Sequence, residues 1–139
     1  MFSDRLLVSA AVAFGGALGS VMRYWLSLID SRLHTSLPWS TICINISGSF
    51  LIALTAGLTL PGGRLPAPDW LRLFLMAGFC GGYTTFSSFS LQTLELIRKG
   101  NAGAALTNVI LSVSCCVIAS AAGLFIAQSM TQSALSSGR

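Results

Sequence analysis

GFCGGYTTFSSFSLQT, from Gly78 to Thr93, stands inside the third of four long apolar runs, where a membrane helix would be expected to continue undisturbed. Three glycines at 78, 81 and 82 are followed by Thr84 and Thr85. Then come the hydroxyls of Ser87 and Ser88, fenced by Phe86 and Phe89. Glycine lets the backbone leave helical geometry, and β-branched threonine has modest helix propensity. The stretch predicts a helix broken near its middle. In hydrocarbon, a break strands backbone N–H and C=O groups at several kcal/mol each, so it persists only when buried in protein or lining a polar cavity. Broken helices with polar side chains near the midplane build ion sites, because freed carbonyls bind cations and helix N-termini attract anions. A glycine hinge that merely packs closely on a neighbour is the other reading.

Outward from this stretch, the whole chain reads as membrane protein. Of its 139 residues 53% are hydrophobic and only 9% charged, with a mean hydropathy of +0.76. About a quarter charged would be ordinary for a soluble domain. A bilayer core of roughly 30 Å needs about 20 apolar residues in a helix. The expected spans are Leu6–Ile29, Trp39–Leu60, Leu71–Ile97 and Gly103–Ala127, with a polar, disordered tail from Gln128. The fold class is therefore an all-α membrane protein, one four-helix transmembrane domain using residues 1–139. The first run is too long and too glycine-patterned for a signal peptide, and it is read as a mature helix. No zinc-type cysteine spacing, phosphate-binding loop or nucleotide fingerprint appears, so enzymatic function and nucleic-acid binding have no support. Cys43, Cys80, Cys115 and Cys116 all fall in apolar runs and read as small buried hydrophobes.

The charges are balanced across the membrane. Arg5, Arg64, Arg72 and Arg139 fall on one side and Arg32, Arg98 and Lys99 on the other. Arg23, at the far end of the first span, evens the tally. The positive-inside rule then gives no orientation, which suggests insertion both ways and pairing as an antiparallel dimer.

Along the spans, Gly15 and Gly19 form a GxxxG pair overlapped by Gly16 and Ser20, a surface for close helix approach. Arg23 either snorkels to the headgroups or attracts anions at a vestibule. His34, a lone loop histidine, is assigned no role. In the second span Asn45 is an amide that needs partners, and Thr41 lies one turn earlier on the same face. Asn45 either bonds across to another helix or donates to a permeating anion. In the third, Phe86, Phe89 and Thr93 share one face, and Ser88 and Gln92 an adjoining one. In the fourth, Asn108 and Ser112 are a turn apart and can add donors to a pore, while Ala119 and Gly123 make a packing pair. No span centre carries a carboxylate, since Asp4, Asp30, Asp69 and Glu95 lie in loops or near ends. A proton-coupled exporter of small molecules, the leading alternative, needs such an acid. Hydroxyls and amides instead suit an anion whose hydration shell must be replaced, and the positive edges of Phe86 and Phe89 can meet a small hard anion.

GGYTTFSSFS at 81–90 closely resembles the signature of the Fluc or CrcB family of fluoride channels, usually read as GGxTTFSTFS. The resemblance covers nearly the whole chain: the glycine-rich first span with Arg23, the TxxxN of Thr41 and Asn45, the broken third span, and the hydroxyl-bearing fourth. It implies a dual-topology antiparallel homodimer in the cell's inner membrane, with two fluoride pathways each lined by both subunits. By position, Phe86 and Phe89 look like the aromatic fluoride-site pair and Asn45 like the pore amide. Ser87, Ser88, Thr41 and Ser112 look like the hydroxyl path, and Arg23 like the family's arginine. The backbone carbonyls of Gly81 and Thr84 look like those that hold a structural Na⁺ on the dimer axis. Gln92 stands where many members have glutamate, Tyr83 where leucine is usual, and Asn108 where some have tyrosine. The implied activity is passive fluoride export that protects the cell from fluoride.

Overall fold

The computed structural model of the chain describes residues 2–30 and 35–137, and helices supply all of its regular structure among these. Arg32, His34 and Arg139 lie outside the described residues. Helix α1 runs Phe2–Ser27 and α2 runs Trp39–Thr59. The third apolar run is divided into α3 (Asp69–Leu73), a π-helical segment (Phe74–Cys80), α4 (Gly81–Tyr83) and α5 (Phe86–Arg98). Helix α6 runs Ala102–Ser137. Three stretches are long and apolar enough to cross a membrane as single helices: Ser3–Ser27, Trp39–Thr59 and Ala102–Ala134.

The helix ends follow from local chemistry. The Asp30 carboxylate accepts from the Ser40 backbone N–H at 2.8 Å and from the Ser40 hydroxyl, supplying the first turn of α2 with an acceptor beside its positive dipole end. At the end of α5, Gly100 takes φ +76°. Its N–H donates to Ile97 O and the Asn101 N–H to Leu96 O, each at 2.9 Å. These are the paired bonds of a Schellman ending, which requires the left-handed glycine. Asn101 then turns its Oδ1 to the Ala104 N–H at 3.1 Å and starts α6.

Glycines decide how the helices approach. A Cβ on Gly15 would sit 2.5 Å from Phe74 O, and one on Gly19 would collide with Phe79 O. Across the same seam, Gly78 meets Val12 O and Gly82 meets Gly16. The small-residue stripe of α1 is therefore spent on the divided third segment, backbone against backbone. On the other side α6 lies along α2. A Cβ on Gly123 would sit 2.5 Å from Phe50 O and one on Gly57 2.5 Å from Ala127 Cβ, while Ser120 Oγ donates to Ser49 O at 3.1 Å. Large apolar side chains such as Phe14, Trp25, Val117 and Phe125 remain more than half exposed, as a lipid-facing surface requires.

Two expectations change. Residues 128–137 do not form a disordered tail: α6 continues to Ser137. That stretch has neither glycine nor proline to stop it, and Thr131 Oγ1 accepts from the Arg64 backbone N–H at 3.1 Å, tying it to the loop after α2. Among the cysteines only Cys80 is buried. Cys43 is exposed and Cys115 and Cys116 are half-buried.

Candidate functional site: the helix break and the cavities beside it

Helical geometry stops at Tyr83 and resumes at Phe86. Thr84 (φ −79°, ψ 159°) and Thr85 (φ −152°, ψ 110°) are extended between them. Threonine adopts such angles readily, and here each side chain also hydrogen-bonds to the nearby backbone. Thr84 Oγ1 donates to Cys80 O at 2.9 Å, which the Thr84 N–H also reaches at 2.9 Å, finishing the upper half-helix. Thr85 is the N-cap of α5: its Oγ1 accepts from the Ser88 N–H at 3.1 Å and donates to Ser88 Oγ at 3.0 Å, with Ser87 Oγ 3.2 Å away.

Neighbouring helices hold the break open. Asn45 on α2 grips both backbone groups of Thr85, its Oδ1 accepting from the N–H at 2.8 Å and its Nδ2 donating to the carbonyl at 3.1 Å. Of the two readings open for Asn45, cross-helix bonding is the one these contacts display; its second amide hydrogen remains available. Arg23 on α1 is half-buried and is tied to the break. Its Nε donates to Gly82 O at 3.0 Å, and Ser20 Oγ reaches the same oxygen at 3.4 Å. The neighbouring Tyr83 hydroxyl meets Ser47 Oγ at 2.9 Å, and its ring stacks on Phe79 at 5.9 Å.

These bonds also decide which carbonyls are left over. In an unbroken helix the Thr85 N–H would return to Gly81 O and the Ser88 N–H to Thr84 O. Here the first goes to Asn45 and the second to Thr85 Oγ1, so Gly81 and Thr84 carbonyls each lose their i+4 donor. Such stripped carbonyl oxygens fit a hard monovalent cation. Among the described residues no group of His, Cys, Asp or Glu side chains could hold a metal ion instead.

Three cavities lie along the lower half-helix. The first, about 300 Å³, is lined by Asn45, Thr85, Phe86, Phe89 and Ser112. The second, about 270 Å³, is lined by Arg23, Thr41, Thr85, Ser88 and Gln92. The third, about 160 Å³, is lined by Asp30, Gln92, Glu95 and Lys99. Thr85 is the wall shared by the first two and Gln92 that shared by the last two. The rings of Phe86 and Phe89 are 5.5 Å apart and tilted by 46°; Phe89 is buried, whereas Phe86 is 79% exposed. Gln92 Oε1 is buried with no hydrogen-bond partner. Ser112 is buried, and its Oγ is 3.4 Å from Asn108 Oδ1. No carboxylate lines the first two cavities.

The structure thus brings Asn45, Thr41, Phe86, Phe89, Ser88, Gln92, Ser112 and Arg23 to two adjoining cavities, and leaves the exposed Ser87 at their edge against Thr85. Sequence reasoning missed the π-helical segment, the acceptor of Arg23, and the role of Thr85. For Thr85 a signal existed: threonine three residues before Ser88 at the head of a helix is an N-cap pattern. The π-helix carries no comparable signature, and it forms where Gly15 and Gly19 press against its backbone.

The family model for CrcB-like protein, Camphor Resistance (CrcB), matches residues 10–124. A protein of Methylobacterium radiotolerans named fluoride-specific ion channel FluC is 53% identical over 116 residues, covering 84% of this chain and 81% of that protein. One of the same name from Rhodospirillum rubrum is 59% identical over 109 residues, 77% of this chain and 84% of its own length. A third, from Gluconobacter oxydans, is 48% identical over 125 residues, 89% and 87% of the two chains. The matched region runs from the glycine stripe of α1 through the break to the face of α6 that packs on α2, and the chain therefore belongs to the CrcB family.

Proposed function

We propose that this protein is a fluoride-selective channel of the bacterial plasma membrane, through which cytoplasmic fluoride leaves passively and the cell is protected from its toxicity. The observation that carries the reading is the convergence, at one helix break, of neutral donors with an aromatic pair and no carboxylate. A small anion sheds its water only where hydrogen-bond donors replace it. The second amide hydrogen of Asn45, the hydroxyls of Ser87, Ser88, Thr41 and Ser112, and the amide of Gln92 are such donors. Phe86 and Phe89 present positive ring edges. Arg23, with its Nε held by Gly82 O, has its other N–H groups free to draw anions into the second cavity.

No coupling is needed. Neutral hydrogen fluoride crosses membranes, dissociates in a less acidic cytoplasm and is trapped as the anion. An inside-negative potential then favours its exit by about 2.3 kcal/mol per 100 mV. Chloride is larger, and a narrow donor-lined path does not repay its dehydration in the same way.

The assembly is proposed as an antiparallel homodimer of chains inserted in both orientations. The balanced basic residues support it, as does Phe86, a pathway ring left 79% exposed in a single chain. In it the third run crosses the bilayer as a broken fourth span. Paired Gly81 and Thr84 carbonyls from two chains would hold a structural Na⁺, which would neutralise the carbonyl ends of the upper half-helices. The proton-coupled exporter reading has no acid in the first two cavities to work with.

The test is fluoride efflux from liposomes containing purified protein, with valinomycin to release the electrical brake and chloride as comparison. Fast fluoride release with little chloride release, abolished by Phe86→Ile, is expected. No fluoride release from folded dimers would refute the reading.

A further inference from the structure

Asn108 is fully buried, its amide is committed at both ends, and the fluoride path proposed above does not use it. The hydrogen-bond directions can be followed from one end of its network to the other. Thr93 Oγ1 has one proton and gives it to Phe89 O at 2.7 Å. Toward Asn108, Thr93 Oγ1 is therefore an acceptor. The Asn108 amide must turn its Nδ2 to it, at 2.9 Å, and that orientation leaves Oδ1 facing Ser112. Ser112 Oγ then donates its single proton to Asn108 Oδ1, at 3.4 Å. The direction is forced: reversing it would put two acceptors, Asn108 Oδ1 and Thr93 Oγ1, face to face.

We infer that Asn108 is a positioning residue that sets the donor state of Ser112, holding the Ser112 proton away from the first cavity until an anion competes for it. At rest Ser112 shows lone pairs to the cavity it lines with Asn45, Phe86 and Phe89. An arriving fluoride must draw the proton off Asn108 Oδ1. The bond surrendered is long, so the exchange costs little but not nothing. The same contact returns the hydroxyl to its resting direction when the ion leaves, which keeps the site from holding its ion too tightly. This inference rests on the channel reading.

The test is the fluoride concentration giving half-maximal efflux in liposomes, for four proteins: unaltered, Asn108→Leu, Ser112→Ala and the double variant. Leucine has nearly the shape of asparagine and accepts no hydrogen bond. Asn108→Leu is expected to lower the half-saturating concentration by about two- to tenfold, the worth of one weak hydrogen bond. In the Ser112→Ala background the same change is expected to have no further effect, because the proton it releases is absent. An equal effect of Asn108→Leu in both backgrounds, or a rise in the half-saturating concentration, would assign Asn108 to packing alone and overturn the inference. Should Asn108→Leu not fold, Thr93→Val removes the anchor of Nδ2. It is expected to shift half-saturation in the same direction by less, again only when Ser112 is present; a shift that survives Ser112→Ala would overturn the inference equally. Absence of flux from the unaltered protein would overturn the channel reading itself, an outcome distinct from flux with uncoupled variants.

Discussion

Replacing Asn45 by leucine removes one side chain and strips two buried backbone groups at once. The amide accepts from the Thr85 N–H at 2.8 Å and donates to the Thr85 carbonyl at 3.1 Å, and Thr85 is only 9% exposed. Leaving a buried donor or acceptor unsatisfied costs about 1–3 kcal/mol, so two together cost roughly 2–6 kcal/mol. The lost groups have an alternative. The Thr85 N–H can return to Gly81 O, its helical partner, if the break heals, and that carbonyl lacks its i+4 donor while Asn45 holds the amide. Asn45→Leu is therefore expected to expose the break or to close it into continuous helix. The assay is amide hydrogen exchange across residues 84–88 in detergent-solubilised protein. In the unaltered chain the Thr85 amide is protected by Asn45. If the break persists without its clamp, exchange there rises by about 5- to 150-fold, matching the loss of one buried bond. If it heals, protection is kept but fluoride efflux disappears. Asn45→Asp keeps the acceptor and loses the donor, so its exchange should lie between, while its charge repels the anion. Unchanged exchange together with unchanged efflux in Asn45→Leu would refute the clamp.

The glycine seam gives a prediction about assembly of the fold. Gly19→Val puts a branched side chain against the backbone of Phe79 and Tyr83, atoms that cannot step aside, and is expected to cost more than about 3 kcal/mol, read as loss of monodisperse protein on size exclusion. Gly103→Ala, where an added Cβ meets nothing, should be silent in the same measurement. Thr85→Ala removes the cap of α5 and should lower stability by about 1 kcal/mol, with Thr85→Ser restoring it in an equilibrium unfolding series. Arg23→Leu frees Gly82 O and deletes the cation of the second cavity, so fluoride efflux should fall at least tenfold, whereas Arg72→Leu, a half-buried arginine paired with Asp69 by its Nη1 at 3.0 Å, should leave it within twofold.

Class and site were legible in the chain itself because membrane burial and backbone chemistry leave marks of composition. A chain with 9% charge and runs of about 20 apolar residues can only satisfy its backbone in lipid as helices. Three glycines ahead of two threonines mark where one of them must yield, and the absence of acids from span centres narrows what the site can bind. What the sequence could not decide was direction and partner. Arg23 read first as a snorkelling cation, with a vestibule charge as the alternative, and only packing of Gly16 on Gly82 brings its Nε to a broken-helix carbonyl. Asn45 read equally as structural glue or pore donor, and only the position of α2 beside the break gives both its amide atoms to Thr85. The helix beyond Gln128 was hidden by its polar composition, and in the fold Thr131 ties it to the 61–68 loop. Composition and periodicity are local and sum along the chain, so one strand of letters carries them. A hydrogen bond between residues 40 or more positions apart depends on how closely two backbones can approach, and that was settled by the glycines in three dimensions.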